Sequence, residues 1–191
     1  MEIEMPIMDV RYATGSLDTA TKAVLAEHLT DVLIRMEGGA NTSGGRAFAW
    51  VSFTEFAADD LWIAGRSNVA AGSAPTFLVH VSIPEGYMNR AQKNEVHTWV
   101  ASAIAMATGG VAYNIHVLTI IDEVTEGNWG SRGLPISLES IAISVGQSTG
   151  GLRARWSHSY FAAKARAVAA AGFPADMGGL PPSMTREIEK A

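Results

Sequence analysis

The chain contains no cysteine. Disulfides, thiolate nucleophiles and cysteine-ligated metals are therefore excluded. Histidine is sparse, at 5 residues. None of them stands at the His-x-His or His-Glu-x-x-His spacing that sets two imidazoles on one metal, so no metal site is expected. Positive charge is in deficit, with 14 lysines and arginines against 19 acids and a net charge of −5. That sign argues against a nucleic-acid partner. No apolar run approaches the roughly 20 residues that cross a bilayer, so no membrane partner is expected. The opening MEIEMPIM lacks the basic start and long apolar stretch of a secretory signal, and a cytoplasmic location is the expectation. Charged residues of both signs make up only 17%, against 48% hydrophobic. With a mean hydropathy of +0.13, 191 residues suffice for one sizeable core and leave apolar surface for contacts between subunits.

What is present is a near-repeat. Residues 7–39, IMDVRYATGSLDTATKAVLAEHLTDVLIRMEGG, lie without a gap on residues 78–110, LVHVSIPEGYMNRAQKNEVHTWVASAIAMATGG. Each copy reads as a strand, a glycine turn, an amphipathic helix and a closing Gly-Gly. A second apolar strand follows each, AFAWVSFTEF and NIHVLTIIDEV. Asp18 and Asn89 stand where helix N-caps are needed. Leu25, Leu29, Val32, Leu33 and Met36 recur at helical spacing, as do Val96, Val100, Ala103, Ile104 and Ala107. Gly38 and Gly39 are placed to end the first helix. The expected fold is α/β: two tandem β-α-β units with right-handed crossovers, forming a four-stranded sheet with two helices on one face. The bare face needs a cover, which association of several subunits, sheets inward, would supply. After residue 145 the repeat stops. Residues 155–171 are alanine-rich and helical in propensity, and the tail GGLPPSMTREIEKA reads as a mobile loop with one terminal turn. The expected division is residues 1–145, with units 5–65 and 75–133, and a C-terminal helical extension over 146–191.

EVTEGNWGSRG, residues 123–133, resembles the Glu-apolar-x-x-Gly-x-aromatic-Gly-x-Gly-Gly segment that follows the second strand in 4-oxalocrotonate tautomerase. EFAADDLWIAG, residues 55–65, is a looser copy, and MPIMDV resembles the family's opening Met-Pro-Ile. Over about residues 5–145 the chain resembles the tautomerase superfamily, and in its two-unit length the fused members such as the cis-3-chloroacrylic acid dehalogenase group. The resemblance implies a homotrimer acting, without a cofactor, as an isomerase or lyase on a small unsaturated oxo-acid. It also implies an N-terminal proline as the catalytic group. A secondary amine has a lone pair, and burial near cations depresses its pKa, so it serves as a general base or acid near neutrality. Arginines hold the substrate carboxylate, and an aromatic residue walls the pocket.

Carried over by residue, Pro6 takes the proline position. Residues 1–5 precede it, and an acylated proline nitrogen has no basic lone pair. Initiation at Met5 followed by its removal would free the amine. The arginine after the turn glycine falls on Ser16 and Tyr87, and the second-strand arginine on Trp50 and Leu118. The wall aromatic falls on Trp62 and Trp129. The candidate site is thus Pro6 as proton shuttle, with Tyr87, Trp129 and Trp50 lining the pocket and Arg132 holding a carboxylate. Each has an alternative: Arg132 as a solvated turn residue, Trp129 as a subunit contact, Trp50 as core or interface, Tyr87 as an exposed tyrosine. His80 and His116 are further candidates if a pocket forms on the open side of the sheet, and Asp9 if its carboxylate is buried rather than turned to solvent, whereas His28 reads as a boundary residue. Arg153, Arg155, His158, Lys164 and Arg166 form a basic cluster, suited to a salt-bridged face or to lending a cation to a neighbouring site. Since a fold can outlive its chemistry, the competing expectations are a non-catalytic binding or scaffold trimer, and an enzyme that does not use proline.

Overall fold

A computed structural model describes residues 6–37, 46, 49–67, 75–110, 115–144, 146, 150–174 and 177–184. Strand β1 (Ile7–Ala13) buries Met8, Val10 and Tyr12 and turns its alternate residues outward, as a period of two requires. The Asp18 carboxylate accepts from the Thr21 backbone N–H at 2.7 Å and opens α1 (Thr19–Glu37). This helix buries all five residues of its expected stripe. Strand β2 (Trp50–Phe56) and a small hairpin, β3 (Trp62–Ile63) with β4 (Arg66–Ser67), complete the first unit. The second unit repeats it as β5 (Thr76–Pro84), α2 (Arg90–Thr108), β6 (His116–Val124) and the hairpin of β7 (Gly130–Ser131) with β8 (Leu134–Pro135). Asn89 and Gln92 form a reciprocal capping box at the start of α2, and Gly109 ends it at φ 65° in the left-handed conformation glycine tolerates.

A register of 71 residues carries Thr19 onto Arg90 and Glu37 onto Thr108. Beyond the helices the register is 68, carrying Phe56 onto Val124 and Arg66 onto Leu134. The connection from helix to second strand is therefore three residues longer in the first unit.

The sheet order is β2-β1-β5-β6. Each β-α-β pair is parallel, and β1 meets β5 antiparallel at the centre. Helices α1 and α2 pack side by side over one face, and the core lies between them and Val10, Phe77, Val79 and Val81. The strand registers align three rows on the other face: Trp50–Ile7–Ser82–Asp122, Ser52–Asp9–His80–Ile120 and Thr54–Arg11–Leu78–Leu118. Leu118 is 61% exposed there.

Two helices follow, α3 (Leu138–Ser144) and α4 (Leu152–Ala170). Phe161 of α4 enters the same core as the sheet. Around it the helix grips the turn after β5. The Ser157 hydroxyl donates to the Gly86 carbonyl at 2.9 Å, and the Tyr160 hydroxyl to Glu85 at 2.6 Å. Lys164 donates to both Glu85 oxygens. Arg153 donates to the Met36 carbonyl and lies 5.1 Å over the Tyr87 ring.

The tail departs from the mobile loop expected of it. Gly179, Leu180 and Pro181 are buried, and the Gly179 N–H donates to the Glu126 carbonyl at 2.9 Å. Leu180 is the reason, since its apolar side chain joins the core. The expectations for Gly38, Gly39, residues 47–48, the linker at 68–74 and the last seven residues lie outside the described residues. Among the described residues no helix is long and apolar enough to cross a membrane.

Candidate functional site

Pro6 heads β1, buried, with its carbonyl accepting from the Trp50 N–H at 3.0 Å. The next residue, Ile7, lines a cavity of about 310 Å³ with Ser82, Val124, Asn128, Trp129 and Gly130, and Pro6 itself is not among these lining residues. The segment after β6 shapes this cavity. The Asn128 N–H donates to the Thr125 carbonyl at 2.9 Å, turning the chain back toward β1. The hairpin then reverses through Arg132 at φ 53° and Gly133 at φ 79°. Two successive positive φ values match the twist of a two-residue hairpin. The Ile136 N–H donates to the Trp129 carbonyl, and the Trp129 side chain packs on Ile136 and Ile141.

The expected site residues are only partly gathered. Trp129 is in the cavity wall. Trp50 is paired with Ile7 across β1 and is 49% exposed. Arg132 sits at the hairpin tip, three residues from Trp129, and does not line the cavity. Tyr87 is not the exposed tyrosine of the sequence alternative: it is 1% exposed, because α4 and Arg153 cover the turn that carries it. Trp62 and Trp129 are not counterparts. The register of 68 carries Leu61 onto Trp129 and Trp62 onto Gly130, and Trp62 is 62% exposed. Among the described residues lining this cavity none carries a charged side chain.

On the open face the Asp9 carboxylate accepts from Arg11 at 2.6 Å and from Ser52 and Thr54 at 3.0 Å each. Partial burial pushes Asp9 upward, but these three hydrogen bonds and the Arg11 charge outweigh it and hold Asp9 below its ordinary pKa. His80 Nδ1 lies 3.0 Å from Asp122.

Sequence reasoning passed over a repeated ion pair. Lys22 bonds Glu55 at 2.5 Å and Lys93 bonds Glu123 at 2.8 Å. The two registers carry one pair onto the other. Each ties the first turns of a helix to the end of the following strand. Glu55 is held below its ordinary pKa, first by the Lys22 hydrogen bond and then by Tyr12. Also missed was Glu126, a buried acid whose oxygens accept from the Leu138 N–H at the start of α3. Burial pushes its pKa up, against the Leu138 hydrogen bond, and the charges of Glu139 and Glu85 add to the rise.

These elements define a two-unit β-α-β protein with a small cavity at the head of its first strand. Solved structures share that architecture. The Q0 fused 4-OT wild-type symmetric trimer matches with a TM-score of 0.56 at 20% identity, covering 71% of this chain and 98% of its own. Pt0534 inactivated by 2-oxo-3-pentynoate matches at 0.54 and 20% identity, with 71% and 98% covered. N1, a member of the cis-3-chloroacrylic acid dehalogenase family, matches at 0.57 and 19% identity, over 97% of this chain and 100% of its own. The chain thus has the two-unit fold of these fused 4-OT and cis-3-chloroacrylic acid dehalogenase family structures. No family model and no curated protein sequence matches it.

Proposed function

We propose that the chain is a tautomerase-like isomerase or lyase, acting on a small unsaturated oxo-acid at the head of β1. The observation that carries this reading is the position of Pro6 one residue before Ile7, which lines a cavity walled by Trp129, in a fold whose solved examples include a protein inactivated by 2-oxo-3-pentynoate. In a mature chain beginning at Pro6, the nitrogen is a secondary amine. It takes a proton from the carbon next to the carbonyl and returns it to the enolate oxygen, or the reverse. Arg132, on the Trp129 hairpin, is the cation nearest in sequence to receive a carboxylate. Tyr87 is not among the residues that line the cavity. The homotrimer belongs to the same reading. It is supported by the exposed Leu118 and Trp50 on the open face and by the trimeric state of the Q0 fused 4-OT.

The test begins with the intact mass of the native protein. A chain starting at Pro6 is expected to convert small enols to 2-oxo acids and to gain one 2-oxo-3-pentynoate adduct, mapped to the Pro6 peptide. A chain starting at Met1, or an adduct elsewhere, refutes proline catalysis. One observation favours a second reading, a non-catalytic binding or scaffold trimer: the described residues lining the cavity at the head of β1 include no charged group. Trimers that show no turnover and no adduct would establish it.

A further inference from the structure

The internal repeat builds a second cavity, and its lining includes charged groups that the described lining of the first does not. It measures about 340 Å³. Arg11, Thr54 and Asp60 line it together with Phe56, Leu61 and Leu78. The register of 71 carries Arg11 onto Ser82 and relates Ile7 to Leu78. The register of 68 carries Phe56, Asp60 and Leu61 onto Val124, Asn128 and Trp129. Five lining positions of one cavity therefore recur in the other. The loops agree as well: the Asp60 N–H donates to the Ala57 carbonyl at 2.9 Å, as the Asn128 N–H does to Thr125. The second cavity is thus a repeated product of the fold. At 3.3 Å per residue, Arg11 lies roughly 13 Å along β1 from Ile7, so the two cavities are separate.

The chemistry of the second cavity is specific. Arg11 bonds Asp9 through Nε, and Asp9 is itself bracketed by Ser52 and Thr54. This orients the guanidinium while the described bond leaves its two terminal nitrogens to meet a ligand oxygen pair. Asp60, in a short 3₁₀ turn (Ala58–Asp60), supplies an acceptor. Phe56, Leu61 and Leu78 supply apolar wall. Asp9 offsets the charge of Arg11, and Asp60 leaves the site with one negative charge in excess. A simple carboxylate gains from Arg11 but is opposed by that excess. A ligand that brings its own cation for Asp60 is not.

We propose that this cavity binds a small amino acid with a short apolar side chain, its carboxylate on Arg11, its ammonium on Asp60 and its side chain against Phe56, Leu61 and Leu78. The site does not involve Pro6; Arg11, Thr54 and Leu78 stand in the open-face row beside Leu118, so it takes a ligand only where the proposed subunit contact leaves that end of the row uncovered.

The experiment is amide NMR of the full ¹⁵N-labelled chain, titrated with L-2-aminobutanoate and, separately, with butanoate. Saturable shifts are expected at Leu61, Thr76 and Leu78 for the amino acid, with butanoate weaker by about tenfold or more, as loss of one charged hydrogen bond implies. Arg11→Gln is expected to weaken the amino acid by a similar factor. Asp60→Asn, which installs the residue found at position 128, is expected to weaken the amino acid but not butanoate. If Arg11→Gln loses the folded spectrum, Arg11→Lys replaces it, with a smaller expected loss. The proposal is overturned by absence of saturable shifts, by equal binding of butanoate, by variants that bind normally, or by shifts confined to Asn128–Gly130, which would place the ligand at the Pro6 end.

Discussion

Gly15 and Gly86 occupy the same position in the two units, and replacing each by alanine separates what the repeat shares from what α4 adds. Both have positive φ, 83° and 68°, so either alanine is expected to cost about 1–2 kcal/mol of backbone strain. A Cβ on Gly15 meets nothing within 4 Å. A Cβ on Gly86 would lie 2.5 Å from Tyr160 Cδ1 and 3.1 Å from Phe161 Cε2. Tyr160 has little room to yield, since its hydroxyl is bonded to Glu85 and its ring stands edge-on to Phe161 at 5.1 Å. Overpacking of this kind costs about 1–3 kcal/mol more. Gly86→Ala is thus expected to lose about 2–5 kcal/mol, and Gly15→Ala about 1–2 kcal/mol. Urea unfolding of the three proteins at one concentration reads both, concentration being fixed because assembly shifts apparent stability. Equal losses, within about 0.5 kcal/mol, would show that α4 does not rest on the Glu85–Tyr87 turn.

Three further outcomes are expected. Glu126 has a folded pKa raised above 4.5, so the folded chain holds its proton more tightly than the unfolded one. Its contribution is fully present below pH 4.5 and is lost as pH rises through the folded value. Glu126→Gln retains an acceptor for the Leu138 N–H, so it should gain on the native protein from pH 4 to 8, and parallel unfolding curves would refute this. Phe161→Ala, removing a buried ring, is expected to cost about 3–5 kcal/mol, measured by chemical denaturation; a loss below 1 kcal/mol would detach α4 from the core. Leu118→Lys places a charge on the open face and should convert trimer to monomer in sedimentation velocity if that face is the subunit contact, whereas an unchanged trimer would place the contact elsewhere.

The repeat, both N-caps, the helical stripes and the sheet arrangement were legible because each is a local pattern or follows from one. Asp18 and Asn89 cap helices through residues three positions away. Leu25, Leu29 and Val100 declare their burial by period alone. What escaped depends on contacts distant in sequence. The α4 helix is alanine-rich and buries only Phe161 and Val168, and nothing local indicates that it covers a turn some seventy residues earlier. Tyr87 was therefore misplaced, since its counterpart Ser16 is exposed and only α4 makes the difference. The Trp62–Trp129 equivalence failed for another reason. Matching by residue type overrode the register of 68, which Glu55 and Glu123 already set. That register also contained the second cavity, whose Asp60 and Leu61 correspond to Asn128 and Trp129.

The three rows on the open face have a further consequence. Turning the sheet end for end exchanges Trp50 with Leu118 and Ile7 with Leu78, apolar for apolar, while the middle row returns onto itself with Asp9 and His80 changing places. A partner docking here by shape and greasiness alone would find heads and tails nearly alike. The polar centre breaks the tie, since reversal puts a histidine where a carboxylate stood and Ser82 where Arg11 stood. If that face is the subunit contact, the choice between a subunit and its upside-down twin rests on a handful of hydrogen-bonding side chains, and substitutions at Asp9 or His80 become means of changing which way up the subunits pack.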